Sequence, residues 1–168
     1  MNFEPILSAP PQVHLHLVAA VAAILIGPMA LYRRSRDIWH KVSGYLWITA
    51  MLTTAITSFW ISGIALIGPF SPIHLLSIFV LFSLTEGIWQ IRRGNVSGHQ
   101  KTMRSLYFWA LIITGLATLL PGRSLHLVFF GAIDGPWPWI AVLATAAVLI
   151  IYRYRRRVLP LGKVRGLF

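Results

Sequence analysis

Five apolar runs, each close to the ~20 residues that carry a helix across a ~30 Å hydrocarbon core, take up most of this chain. They are Val13–Tyr32, Gly44–Ile67, Ile73–Ile91, Met103–Leu120 and Trp137–Tyr154. Lipid offers the backbone no hydrogen bonds, so a spanning segment must satisfy its own. The expected fold class is therefore all-α: an integral membrane bundle of five transmembrane helices, with residues 1–168 forming one transmembrane domain. Composition agrees, since 57% of residues are hydrophobic and 11% charged, whereas a soluble domain carries about 25% charged residues. Between the fourth and fifth runs, Leu125–Ile133 is apolar but too short to cross, and Asp134-Gly135-Pro136-Trp137-Pro138 breaks it. That stretch reads as interfacial or re-entrant.

The net charge of +11 would point to nucleic acid in a soluble protein. Here the positive charge clusters beside apolar runs, the pattern of membrane orientation and anionic headgroups. Arg33, Arg34, Arg36 and Lys41 lie between runs one and two, and Arg92, Arg93, Lys101 and Arg104 between three and four. Arg153, Arg155, Arg156, Arg157, Lys163 and Arg165 lie at the end of run five and in the tail, leaving Arg123 alone on the other side. Cytoplasmic loops retain Lys and Arg. The expected orientation thus has the N-terminus outside and the basic tail, 155–168, in the cytoplasm against anionic lipid. Met1-Asn2-Phe3-Glu4-Pro5 lacks the basic start of a cleaved signal peptide, so the first run is expected to remain in the protein. Trp60, Trp137 and Trp139 toward the outer ends, with Trp39, Trp47, Trp89 and Trp109 toward the inner ends, read as interfacial belts.

The first and third runs begin alike, with Pro11-Gln12-Val13-His14-Leu15-His16 and Pro72-Ile73-His74. They also end alike. Arg33-Arg34 precedes His40 by the same interval that separates Arg92-Arg93 from His99. This spacing predicts two repeated hairpins plus a fifth helix, the hairpins related by an axis along the membrane normal.

The six histidines fall into two layers, too far apart along a span to share one site. His14, His16, His74 and His126 are outer, and His40 and His99 inner. His14 and His16 are two residues apart, about 200° around a helix, so only one can face the bundle. His16 shares its stripe with Ala20, Ala23, Gly27 and Ala30, small residues that let membrane helices approach closely. His14 shares its stripe with Val18, Val21, Leu25 and Pro28. His16 is thus expected inward, where it and His74 are candidate haem or metal ligands, joined for a metal by His126. At the inner end His40 and His99 are a candidate bis-imidazole pair; the bland alternative is that the histidines bond interfacial backbone, water or lipid phosphate. Glu86 is the one acid within a span, seven residues before Arg93, and is expected to pair with Arg93, to stand as a protonated, hydrogen-bonded acid, or to take part in proton transfer or ligand binding. With no cysteine in the chain, thiolate metal sites and covalently attached haem are excluded. Phosphate-loop, metalloprotease and Ser/His/Asp motifs are absent.

His40-Lys41-Val42-Ser43-Gly44-Tyr45 and His99-Gln100-Lys101-Thr102-Met103-Arg104-Ser105-Leu106-Tyr107 carry a resemblance. Together they resemble a family of predicted bacterial multi-pass membrane proteins of unknown function, grouped as domain of unknown function 2306. That family starts one span with a His-basic-x-x-Gly-x-x-Tyr-like motif and a later one with His-x-x-x-Met-x-Arg. The likeness covers roughly 10–123, with Lys41 and Gln100 standing where Arg is usual and Leu46-Trp47 near the usual Tyr. It implies a multi-pass protein of a bacterial inner membrane and no particular reaction. The layout is also similar in outline to four-helix haem b membrane proteins, which place axial histidines deeper in their helices. The resulting expectation is a redox-associated protein binding haem b or quinone through paired histidines. The alternatives are a small accessory subunit of a larger membrane complex or homo-oligomer, and, third, a small transporter.

Overall fold

The computed structural model of the protein describes residues 3–61, 72–120, 123–130 and 136–158. After a single helical turn, α1 (Glu4–Leu7), come α2 (Pro11–Tyr32) and α3 (Ile38–Thr57), the latter extended by a 3₁₀ turn at Ser58–Trp60. α4 (Pro72–Arg92) and α5 (Val96–Leu106) follow. The chain then runs without a break through a π-helical stretch, Tyr107–Ile113, into α6 (Thr114–Ala117). α7 (Ser124–Phe130) and α8 (Trp137–Val158) complete it.

Helix starts alternate in kind. α2 and α4 both begin at proline, whose missing N–H costs nothing at a first helical position. α3 and α5 both begin behind an Asx cap: Asp37 accepts from the His40 N–H at 3.1 Å, and Asn95 from the Gly98 N–H at 2.9 Å. Proline therefore opens the far end of each hairpin and an Asx cap its basic end. Gly94, at φ 77°, makes the left-handed turn between α4 and α5 that a side chain would strain.

The helices close into a ring. α2 packs on α3, α3 on α4, α4 on α5, and the π-helical stretch returns to α2. The α2 face turned inward is Ala19, Ala23, Gly27 and Ala30. Against it lie Trp47, Met51 and Ala55 of α3, Val80 and Leu84 of α4, and Met103 and Leu106 of α5 with Leu111 of the π-helical stretch; α5, that stretch and α6 together make the fourth helix of the ring. The outer surface is correspondingly apolar, with Leu25 72% and Phe82 68% exposed, as a lipid-facing surface must be. α8 stands outside the ring, touching α6 and laying Arg153 over the Phe108 ring at 4.4 Å. α7 packs on α1.

Four helices among the described residues are long and apolar enough to cross a membrane: Pro11–Tyr32, Ile38–Trp60, Ile73–Arg92 and Trp137–Arg155. The fourth expected run is not one α-helix, because the π-helical stretch divides it. The second starts at Ile38 rather than Gly44, since the Asp37 cap and not the apolar composition fixes its first turn. Its expected end, 62–67, lies outside the described residues, as do Ile133, Asp134 and residues 159–168 of the tail. Trp47 is not interfacial: it is 1% exposed and sits in the core.

Candidate functional site

Proline 28 shapes the basic half of the ring. Having no N–H, it leaves the Ile24 carbonyl one turn earlier without its helical donor. The Tyr107 hydroxyl of the fourth helix supplies one, donating to Ile24 O at 3.1 Å. The Tyr107 ring can lie there only because residue 27 is glycine; a Cβ at Gly27 would overlap the ring and come within 3.2 Å of the Trp47 indole nitrogen. A second glycine, Gly87 on α4, receives the Met103 side chain in the same way. The interior of the ring is thereby closed in its basic half.

From Tyr107 onward the helix widens. The Thr114 side-chain hydroxyl reaches the carbonyl five residues back, Trp109 O, at 3.2 Å, and the buried leucines Leu106 and Leu111 are also five apart. In an α-helix five residues turn about 140° off a face, whereas i to i+5 bonding keeps them together. On the far side of this stretch the ring opens into a cavity of about 370 Å³ between α2, α3, α4 and the fourth helix. Ala20, Ile24, Met51, Val80 and Leu111 line its apolar body. Polar groups gather from the far-end turns: His16, Thr54, Ser58, Ser77, Thr114 and Thr118.

These polar groups also tie the helices together. His16 Nδ1 lies 3.1 Å from the Thr57 hydroxyl. That hydroxyl gives its proton to the Thr53 carbonyl at 2.7 Å, so toward His16 it accepts, and the proton of the imidazole sits on Nδ1. The Thr54 carbonyl, 3.2 Å from the same hydroxyl, is the ring's other neighbour on that helix. Ser58 and Ser77 hydrogen-bond each other across α3 and α4. His74, buried, uses Nε2 on the Phe59 carbonyl at 3.3 Å and packs beside the Phe59 ring.

The remaining sequence candidates are dispersed. His126, on α7 and 3% exposed, donates through Nδ1 to Leu119 O at 3.0 Å and stacks on Phe130. His14 donates through Nε2 to Ile6 O at 2.7 Å, pinning α1 to α2. At the basic end His99 Nδ1 donates to Gly87 O at 2.8 Å, seating the start of α5 on α4. His40 belongs to α3, and its buried Nδ1 has no hydrogen-bond partner among the described residues. Among the described residues no three His, Asp or Glu come together in a way that could hold a metal ion.

Glu86 accepts from Gln90 Nε2 at 2.8 Å, and Gln90 in turn accepts from the Thr102 hydroxyl at 3.2 Å. Arg93, the expected partner of Glu86, instead lies over the Trp89 ring at 3.8 Å. The ion pair among the described residues is Arg33–Asp37 in the first basic loop. Two hydrogen bonds from the Arg33 guanidinium hold the exposed Asp37 carboxyl far below its usual range, with the His40 N–H helping.

An all-helical ring, apolar outside and opened in one half to a cavity with a polar end, defines a helical membrane protein. The chain belongs to the family described as predicted membrane protein (DUF2306), whose family model matches residues 13–152. The match extends past the 10–123 stretch on which the resemblance rests and takes in most of α8, so the fifth run belongs to the family and is not an appendage. No curated protein and no solved structure matches the chain.

Proposed function

We propose that this protein is a redox-associated membrane protein that binds a quinone-class ligand in the far-half cavity, with His16 as its principal polar contact. The observation that carries this reading is the cavity itself. Its ~370 Å³ lies within the ~300–1,000 Å³ of small-molecule sites. Its apolar body suits a ring and the start of an isoprenoid tail, and its hydroxyls and imidazole suit the oxygens of the headgroup. With Nδ1–H given to Thr57, a neutral His16 keeps Nε2 as the acceptor for a hydroquinone O–H. The haem half of the sequence expectation finds less support, because His16 lines the cavity and His74 does not, so the two are not brought to one site.

The same reading takes five spans, with the unbroken helix from Val96 to Ala117 as the fourth. At ~1.5 Å per residue that helix reaches across the ~30 Å core. It puts the N-terminus outside and the basic end, with fourteen of fifteen Lys and Arg residues, in the cytoplasm.

Titrating the purified protein in nanodiscs with a short-tailed benzoquinone and a short-tailed naphthoquinone tests it. Saturable binding of either, weakened about tenfold by His16→Ala as the loss of a buried hydrogen bond to a polar ligand would require, is the expected result. No saturable binding, or equal binding to a Gly115→Leu variant whose cavity is filled, rejects the reading. A haem absorption band in oxidised and reduced spectra of the same sample would transfer the assignment to haem.

A further inference from the structure

A second hollow, of about 480 Å³, lies at the basic end between α4 and α5 and is separate from the far-half cavity. One end is aromatic and apolar, formed by Phe79, Phe82, Leu106 and Trp109. The other is polar, formed by Glu86, Gln90, Lys101, Thr102 and Ser105. From Phe79 to Gln90 it follows α4 for eleven residues, about 16 Å at ~1.5 Å each. That is about half of a ~30 Å hydrocarbon core, the depth of a single leaflet. Phe79, Phe82 and Trp109 are exposed, so the apolar end opens on the lipid-facing surface.

The charges at the polar end are of both signs. Glu86 contributes a carboxylate and Lys101 an ammonium, and no ion pair joins them: the one ion pair among the described residues is Arg33–Asp37. Gln90 donates to one oxygen of Glu86, leaving the other for a second donor. A carboxylate and an ammonium held apart in one cleft complement a molecule with a primary ammonium next to a phosphate. An apolar channel one leaflet deep asks that this molecule carry acyl chains. We infer that the cleft binds a zwitterionic phospholipid of the ethanolamine class, its ammonium on Glu86, its phosphate on Lys101 and one chain along Phe79 and Phe82.

Native mass spectrometry of the full-length protein released from vesicles of equal parts phosphatidylcholine, phosphatidylethanolamine and phosphatidylglycerol tests this. The expected result is retained phosphatidylethanolamine, favoured about tenfold over phosphatidylglycerol, the scale of one charge-assisted hydrogen bond. Glu86→Gln keeps the acceptor for Gln90 while removing the charge, and should abolish that preference. Lys101→Gln should weaken retention of both lipids. Ser105→Trp, which fills the cleft from its wall without touching either charge, should lose the bound lipid, and is read if a charge variant does not fold. Equal retention of the lipids by the wild type, or a preference for phosphatidylglycerol, overturns the inference, the second outcome marking a site for anionic lipid. Soluble phosphoethanolamine that competes with the lipid at equal concentration would overturn the lipid as source and leave a headgroup site.

Discussion

Gly27 and Gly115 sit on the same ring of helices and do opposite things. A side chain at Gly27 would meet the Tyr107 ring and the Trp47 indole, whereas a Cβ at Gly115 would meet nothing among the described residues within 4 Å. In the basic half a small residue marks where a large one from the next helix has been received. In the far half the small residues Ala20 and Gly115 face the cavity, and at Gly115 nothing has been received. Small residues in a membrane helix are usually read as a sign of close approach. This protein shows that the sign is set by the facing residue: Tyr107 fills, and the widened stretch after it withdraws.

The sharpest way to break this contrast is a pair of identical substitutions. Gly27→Leu is expected to destabilise by about 1–3 kcal/mol, the scale of overpacking a well-filled interior. Thermal unfolding in detergent should show it as a clearly lowered midpoint, with Leu25→Ala on the lipid-facing side of the same helix much milder. Similar midpoints for Gly27→Leu and wild type would mean that the basic half is not closed as described.

Tyr107→Phe comes next. It leaves the Ile24 carbonyl, already deprived by Pro28, without a donor in a dry interior, at about 1–3 kcal/mol. Restoring the helical N–H with Pro28→Ala should cancel most of that loss, so the double variant Pro28→Ala/Tyr107→Phe should melt well above Tyr107→Phe alone. Additive effects of the two changes would show that Tyr107 does not stand in for the missing helical bond.

Gly115→Leu, the counterpart of the first substitution, should leave the midpoint unchanged or raise it, since the new side chain enters open space. A loss as large as that of Gly27→Leu would erase the distinction between the halves.

Smallest is the response of the first basic loop to pH. Asp37 titrates below its ordinary value of 3.8 because Arg33 hydrogen-bonds its charged form. Its contribution is therefore complete above that value and lost only as pH falls through the lowered one. The difference in midpoint between wild type and Asp37→Asn should stay constant from pH 5 to 8. A difference that grows across that window would place another titrating group at the loop.

Much of the ring could be read from residues alone. The buried face of α2 follows the 3.6-residue period, and the two-residue gap between His14 and His16 turns only His16 to the cavity; His14, expected toward lipid headgroups, bonds α1 instead. Hydropathy set the start of the second helix too late, since it weighs composition and not the single hydrogen bond by which Asp37 begins the helix. Helix face alone matches Glu86 with Arg93. Two turns, about 10 Å, separate them, so Glu86 bonds the residue one turn away while Arg93 turns back onto Trp89. The debt between Pro28 and Tyr107 spans 79 positions of sequence, and no local pattern shows it. Nor does one show the widening at Tyr107–Ile113, whose residues are ordinary helix formers in a membrane.

That widened stretch works as a phase joint in the fourth helix. Every position after it is turned by about 100° relative to an uninterrupted α-helix, the angle of one residue. Relaxing the stretch to α-helix with its length unchanged would rotate Gly115 and Thr118 away from the cavity, whereas removing a single residue within Tyr107–Ile113 would absorb that turn and leave Gly115 and Thr118, like Met103 and Leu106, where they are. Length along this segment is therefore as informative as identity: a relative of this chain one residue shorter there would keep the closed half and present the same wall to the open one through an uninterrupted α-helix.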